Sequence, residues 1–390
     1  RQGHRQVPRR QPGNLVQIPQ RERRVGMADA DEGYLSSQAQ WQGRFWLPGQ
    51  EDADQRGILT YGPDRGVRLS LIGGFDDAKW LPGPRPGTAT LSDRTKSWPV
   101  VHGAVGSANV TLLDCVVERS SFHMTAASAF GGGNRVEQQE LRAGDLLLGV
   151  LLQEGSQRVF AGIDVEIENL TEWHQAGDIS WSIEIPENSA HRKRWRIEVE
   201  PVDTISVDVN GVSVELARSY RLPSHDVRRG RLSASTLGVS HIALRAAEPR
   251  SVGEWTQAAQ GLQDLLSLAM DSSCALLRLT LVPTDELFET RSAGARSQIR
   301  AYAQHIVVGD PDASGVEGGE ALFTLGVDGV SFETLMPSWM SVRARFRVTL
   351  NMILGLRYVD VGYVQTELIT AVAAAEAMHD ALDLEPPISN

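Results

Sequence analysis

The sequence has few lysines, few cysteines and no long apolar run. Lys79, Lys96 and Lys193 are the three lysines, so nearly every one of the 38 basic residues is arginine. Cys115 and Cys274 lie far apart and in no metal-ligand spacing. This favours two reduced, buried thiols in a cytoplasmic protein over a disulfide or a zinc site. No run of about eighteen apolar residues occurs, so no membrane-spanning helix and no membrane partner are expected.

Net positive charge is absent as well. The formal charge is −11, which argues against a surface that binds duplex nucleic acid non-specifically, because phosphates require a basic footprint. A small local RNA site remains compatible with this charge. The hydrophobic fraction of 41% and the charged fraction of 22% are those of an ordinary globular protein. At 390 residues, the chain is long enough for two or three domains.

Residues 1–26 differ from the rest of the chain. They contain seven arginines and one glutamate without an apolar period, and Met27 then opens a stretch that resembles a natural start. Two explanations compete, a basic RNA-binding arm and upstream sequence translated by mistake. We favour the second and predict that residues 1–26 are a disordered or non-native leader.

From Trp41 to about Leu244 the pattern is mostly that of β-strands. Apolar and polar residues alternate strictly over 67–72, after a Pro-Asp-x-Gly turn, and Asn210-Gly211 joins two alternating runs as a type I′ hairpin turn would. Other predicted strands cover residues 109–117, 146–152, 159–167, 179–185 and 239–244. Many strands joined by short turns predict an antiparallel sandwich or open barrel.

The pattern changes near Ser251. Ser251–Met270 has helical spacing, and Ser251 with Glu254 three residues later predicts a capping box. A strand over Ala275–Val282 and further helices follow, the latter over residues 285–306, 332–356 and 361–382. The predicted fold class is therefore α+β, with a β-rich N-terminal part and an all-α end.

Several short pieces, in this order, carry a resemblance to a known family: Trp41–Gly49, Gly57–Tyr61, Leu69–Phe75, Val101–Gly103, Val110–Cys115, Ile167–Trp173, Tyr363–Ile369 and Ala375–His379. They resemble the ApeA N-terminal domain, and the last two resemble the first helix of the ApeA-like HEPN domain. The resemblance implies a regulatory domain over 34–330, and a linker helix with the beginning of a HEPN bundle over 331–390.

The resemblance also implies a function. It points to a bacterial anti-phage protein of the abortive-infection type, with a regulatory N-terminal domain that senses a phage-derived trigger. The HEPN domain of such a protein is a metal-independent ribonuclease without cofactors that works as a homodimer on RNA. Its chemistry uses an Arg and a His in an R-x4–6-H motif, which lies beyond the first helix in the family. The chain ends at Asn390 before such a motif, so we expect no catalytic residues within it.

Three residue pairs in the sequence are candidates for catalytic residues. Arg300 with His305 and Arg218 with His225 match R-x4–6-H, but 35 arginines and nine histidines give about two or three such matches by chance. Glu376 and His379 are three residues apart and share a helical face. A di-metal site needs a second such pair, so a polar pair beside a HEPN dimer groove or an ordinary solvated face fits better. No metal site is predicted.

One basic run includes an aromatic residue: His191, Arg192, Lys193, Arg194, Trp195 and Arg196. It could be an RNA-stacking patch, but a charged edge strand that prevents aggregation is the favoured interpretation. A stand-alone β-rich module that binds a carbohydrate or peptide through some of the nine tryptophans is the alternative function. The reading frame beyond Asn390 would discriminate between the two functions.

The predicted last helix has a heptad seam. Apolar residues alternate in steps of three and four, at Val361, Val364, Leu368, Ala371, Ala375, Met378 and Leu382. A second stripe beside it becomes polar toward Glu376 and His379. We expect the seam to pack on further HEPN helices and, where these are lacking, to be exposed and to drive self-association.

Overall fold

The computed structural model describes residues 34–75, 80–82, 89–91, 97–122, 136–184, 194–228, 231–289, 298–303, 321–326, 329–358 and 363–382. Within these ranges, no helix is both long enough and apolar enough to cross a membrane. The predicted leader, residues 1–26, lies outside the described residues.

Strands account for most of the regular structure. In chain order they are β1 (Ala39–Trp46), β2 (Gln55–Gly62), β3 (Gly66–Ile72), β4 (Trp80–Pro82), β5 (Ala89–Leu91), β6 (Ser97–Val105), β7 (Ala108–Phe122), β8 (Val136–Ala143), β9 (Asp145–Leu148), β10 (Phe160–Ile167), β11 (Ile179–Glu184), β12 (Arg194–Val199), β13 (Ile205–Val209), β14 (Val212–Arg228), β15 (Arg231–Arg250), β16 (Leu276–Pro283) and β17 (Ile299–Ala303).

Six of the strands close into a barrel. The order is β7-β6-β1-β2-β3-β8, and β8 pairs back onto β7. The long strand β7 makes closure possible because its two halves have different partners. Its first half, at Val110–Leu113, pairs with β9, and its second half, from Val116 onward, pairs with β8. Phe45, Leu59 and other alternate residues of the barrel strands are buried, as a period of two requires.

The same sheet extends beyond the barrel, and we call this open extension the second sheet. Beyond β7 it continues as β9-β17-β16-β10-β15-β14-β13, and all of its pairings are antiparallel. The Asn210-Gly211 hairpin turn is confirmed, with φ of 54° and 76° at its two central residues. The strands β11 and β12 pair only with each other among the described residues.

The helices are α1 (Leu170–His174), α2 (Val252–Ala269), α3 (Asp285–Glu289), α4 (Phe332–Arg345), α5 (Arg347–Tyr358) and α6 (Val364–Leu382). The capping box of α2 is confirmed, since Ser251 Oγ accepts from the Glu254 amide and the Glu254 carboxylate accepts from the Ser251 amide. Just after the cap, the buried Trp255 of α2 donates a hydrogen bond of 3.0 Å from its Nε1 to the carbonyl oxygen of Phe160. This contact fixes the helix on the second sheet. The α+β class is therefore confirmed.

The helix expected over residues 285–306 is present at Asp285–Glu289 and wrong at Ile299–Ala303. Helix α3 ends at Glu289, and Ile299–Ala303 is a strand that pairs with β9 and β16. Pairing with two apolar strands buries Ile299, Ala301 and Tyr302, and this tertiary burial overrides local helix propensity. The helix expected over 332–356 is interrupted at Phe346, whose backbone leaves the helical region.

Candidate functional site

The helix α4 is anchored on α2 by two side chains. The indole Nε1–H of the buried Trp339 donates a hydrogen bond of 2.8 Å to the carbonyl oxygen of Gly261. About one turn later, Nε and Nη2 of Arg343 donate to Oδ2 of Asp264 at 3.1 and 2.8 Å. Such charge-assisted bonds are stronger than neutral ones. The helix α4 therefore docks through specific polar contacts as well as through the burial of Phe332 and Met336.

The same carboxylate also holds α5. The hydroxyl of Tyr358 donates to Oδ1 of Asp264 at 2.9 Å and lies 3.1 Å from Oγ of Ser267. Burial raises the pKa of the Tyr358 phenol, and the nearby charge of Asp264 raises it further, so the phenol stays protonated as a donor. We call Asp264, Arg343 and Tyr358 the α2 clamp. It fixes two successive helices to one buried residue.

The helix α6 is held by small residues. Its least exposed positions are Thr370, Ala373, Ala374, Ala377, Ala381 and Leu382, and it packs mainly against α5. At its C-terminal end, Nε and Nη2 of Arg345 donate to the carbonyl oxygen of Ala381 at 3.1 and 3.0 Å. The positive charge of Arg345 at this end also interacts favourably with the helix dipole. Alanines let the two helices approach closely, but they bury little area per residue.

Apart from the half-buried Leu382, the large apolar side chains of α6 are exposed. We call them the α6 face: Val364, Leu368, Ile369, Val372 and Met378, exposed by 74%, 65%, 69%, 50% and 43%. Of the predicted heptad seam, Val364, Leu368, Ala371, Ala375 and Met378 are exposed, whereas Leu382 is half-buried and Val361 lies outside the described residues. Large apolar residues clustered on one surface are typical of an interaction site. Burying one such side chain fully is worth about 1.5–3 kcal/mol.

Glu376 and His379 lie beside this face. Both are exposed and close to the C-terminal end of α6. Among the described residues, no three His, Cys, Asp or Glu side chains come together as metal ligands. The role of Glu376 and His379 at a dimer groove stays a prediction.

Arg300 lies on a strand rather than a helix. It belongs to β17, where it is half-buried and its backbone pairs with Leu148 and Thr280. The neighbouring Tyr302 is buried, which raises its pKa, while the positive charge of Arg300 opposes that shift. His305 lies outside the described residues. Arg300 is therefore not on the surface of a helix, as the helix expected over residues 285–306 would have placed it.

Arg218, from the second R-x4–6-H match, takes part in a buried polar network. Its guanidinium forms an ion pair with Asp178, with side-chain exposures of 7% and 3%, and Nη1 donates to Oγ of Ser240 at 3.1 Å. The same hydroxyl lies 3.1 Å from Nδ1 of His174. Burial lowers the pKa of His174, and the Arg218 charge lowers it further. His225 is seven residues away along strand β14, or about 23 Å in an extended chain.

The basic run is only partly described. Arg192 and Lys193 lie outside the described residues, and the backbone of Arg194, Trp195 and Arg196 forms the start of β12, paired with β11. Arg196 is exposed and lies 3.7 Å from Glu198. Neither the RNA patch nor the protective edge strand is tested by these contacts, so both stay predictions.

The strand pair β11–β12 has an apolar face that the sequence analysis missed. Trp181 and Ile197 are direct partners and are exposed by 69% and 55%, with Ile183 next to them. The alternation of apolar residues in two adjacent strands was the available signal. Four other tryptophans are buried: Trp98, Trp173, Trp255 and Trp339. Trp181 is therefore the tryptophan most open to a ligand among those whose side chains are described.

The two cysteines are buried and free, as predicted. Burial raises the pKa of Cys274 to about 11, and burial also raises the pKa of Cys115. Because the thiolate is the reactive form, neither residue is suited to nucleophilic catalysis.

Comparison with protein families matches residues 40–339 to the ApeA N-terminal domain 1 family. The match covers more than half of the 390-residue chain and runs from β1 into α4. No curated protein and no solved structure matches the chain significantly. Because the family match covers more than half of the sequence, the chain belongs to the ApeA N-terminal domain 1 family.

Proposed function

We propose that the chain is the regulatory part of an anti-phage protein of the abortive-infection type, and that its effector is a HEPN ribonuclease domain that begins with α6. Membership of the ApeA N-terminal domain family links the chain to anti-phage defence. The α6 face carries the rest of the proposal, because its five large apolar side chains remain exposed while alanines pack inward.

The α6 face suits a helical partner. Val364, Leu368 and Met378 belong to the heptad seam, and such a seam packs knobs-into-holes against another helix. In the proposed protein, the remaining HEPN helices cover this seam, and Glu376 and His379 border the dimer groove. The Arg and His of the nuclease motif come from those helices: the arginine holds the RNA phosphate and the imidazole moves the proton of the 2′-hydroxyl.

The α2 clamp provides the connection that regulation requires. Asp264 holds α4 and α5, and Arg345 of α4 holds the end of α6. The other side of α2 is fixed to the second sheet through Trp255. In the proposed protein, a phage-derived trigger acts on the β-rich part, and α2 with its clamp carries the effect to the nuclease.

A phage-plating assay with the intact gene tests this proposal. Leu368→Glu places a charge in the middle of the α6 face, and Thr366→Glu places the same charge at an exposed polar position on the same helix. We expect Leu368→Glu to abolish protection and infection-dependent RNA cleavage, and Thr366→Glu to retain both. Full protection by Leu368→Glu, with normal protein levels, would contradict the role of α6.

A second assay concerns the chain itself. We expect the purified 390-residue chain to leave total RNA intact, and the Arg300→Ala/His305→Ala version to behave identically. Robust cleavage that the double substitution abolishes would place the catalytic site within this chain instead.

A carbohydrate- or peptide-binding module is the second candidate function, and the exposed Trp181 is the observation that favours it. Trp181→Ala should then remove binding to a glycan or peptide array without affecting stability. The burial of Trp98, Trp173, Trp255 and Trp339 makes this function less well supported, since these side chains belong to the core.

A further inference from the structure

The outer wall of the barrel has a groove where two glycines meet. Gly43 of β1 and Gly57 of β2 are direct partners in the ladder. A Cβ at Gly43 would collide with the carbonyl oxygen of Ala104, and one at Gly57 would come within 2.8 Å of the carbonyl oxygen of Ser70. Glycine at such positions permits close approach and a tight bend in a barrel.

Beside this bend the strands leave a concave space of about 730 Å³, lined by Gln42, Gly43, Arg44, Arg56, Gly57, Ile58 and Ile72. The space is open to solvent on its outer side, and its volume is sufficient for a small molecule. We call this space the barrel groove.

The barrel groove has an excess of positive charge. Arg44 and Arg56 are direct cross-strand partners, and like charges in this arrangement destabilise a sheet. Arg44 has one carboxylate partner, Asp54 at 3.2 Å, and its side chain is still 69% exposed. The side chain of Arg56 makes no hydrogen bond or ion pair within the described part of the chain.

Among the described residues, the carboxylates near the groove do not neutralise the second arginine. Glu51 and Asp52 lie in the exposed turn between β1 and β2, and Asp54 contacts Arg44 only. One guanidinium is therefore available, in a chain whose net charge is −11. An anion placed between the two arginines would relieve their repulsion and accept hydrogen bonds from both planar groups.

The apolar side chains of the groove adjoin Arg56, one across the ladder and one along its own strand. Ile72 is the direct partner of Arg56, and Ile58 is the direct partner of Gln42. Both isoleucines are exposed, by 68% and 37%, although they lie on regular strands. Two cations, an amide and two adjoining apolar side chains in one groove match a ligand that has an anionic group attached to a flat or apolar body.

We propose that the barrel groove binds a small phosphorylated ligand of nucleotide size. The phosphate lies between Arg44 and Arg56, and the body of the ligand packs on Ile58 and Ile72. The amide of Gln42 contacts the polar edge of the ligand. A phosphate monoester fits better than a carboxylate because it has three terminal oxygens, enough for both guanidinium groups at once.

Calorimetric titration of the 390-residue chain tests the proposal, with AMP, adenosine, inorganic phosphate and a short single-stranded RNA as probes. We expect AMP to bind more tightly than phosphate, and adenosine to show no measurable binding. Arg56→Gln should weaken AMP binding by about tenfold or more, since it removes a charge-assisted contact. Arg65→Gln, an exposed arginine in the turn at the far end of the same hairpin, is the matched control and should change nothing.

A second variant tests the apolar side chains. Ile72→Ser should weaken AMP binding severalfold and leave phosphate binding unchanged, and thermal melting of each variant checks the fold. Three results would overturn the proposal: no binding of AMP, unchanged AMP binding by Arg56→Gln, or equal affinity for adenosine and AMP. Binding of the RNA without binding of AMP would also overturn it, in favour of a nucleic-acid surface.

Discussion

Replacing Asp264 by alanine should destabilise the protein more than any exposed ion-pair variant. Asp264 is 8% exposed and accepts hydrogen bonds from both Arg343 and Tyr358. Breaking a buried ion pair by removing one partner costs about 3–5 kcal/mol, because the other charge is left uncompensated. The side chain of Arg343 is 22% exposed, so water solvates part of it. We therefore expect the free energy of unfolding to fall by about 2–3 kcal/mol.

Urea denaturation measures this change, and two further variants interpret it. Arg357→Gln removes a more exposed ion pair, between α5 and Asp271 just beyond the end of α2, and such pairs contribute about 0–1 kcal/mol. The double variant Asp264→Leu/Arg343→Met removes both charges and should recover part of the loss. If Asp264→Ala lowers the free energy of unfolding by less than about 0.5 kcal/mol, the reasoning is refuted, because an ordinary surface substitution has an effect of that size.

Three further predictions follow from single contacts. Leu368→Glu should reduce self-association of the purified chain in light scattering, whereas Thr366→Glu should not; a monomer in both cases would show that the α6 face does not bind a second copy. Ser251→Ala removes the capping box and should lower the free energy of unfolding by about 1 kcal/mol in urea. The pKa of His174 is lowered in the folded state, so the unfolded state binds its proton more readily, and stability should fall as the pH drops below about 6.5. His174→Phe should remove that pH dependence, and His379→Gln, on an exposed histidine, should keep it.

Local signals predicted the elements that depend on neighbouring residues. The capping box at Ser251 and the Asn210-Gly211 hairpin involve contacts over two or three positions, so the sequence contains all the information needed. Barrel closure depends instead on the pairing of β7 with β8 and on the change of partner within β7. Strand β17 likewise exists because β9 and β16 lie on either side of it. A sequence window around Arg300 does not contain those strands.

The candidate site divides in the same way. The apolar stripe of α6 was visible from heptad spacing, because its residues lie on one helix. The α2 clamp was not, since Asp264 and Arg343 are 79 positions apart. The available signal was Asp264 itself, a charged residue next to Leu265 and Leu266 in a helix rich in leucine. A charge in such a helix indicates a buried partner, but it does not say which arginine provides it.

The helix α2 is shared by the two parts of the protein, and this determines what regulation would have to do. Its first turn is fixed to the second sheet through Trp255, and its last turns hold α4 and α5 through the α2 clamp. A ligand on the barrel affects α6 only if it binds two arrangements of this helix with different affinities. The effect must then be reciprocal, so a partner on the α6 face changes the affinity of the barrel groove by the same factor. Asp264→Ala loosens the α2 clamp without changing the barrel groove or the α6 face. It should therefore reduce the effect that a partner on the α6 face has on AMP affinity, and leave AMP binding in the absence of that partner unchanged.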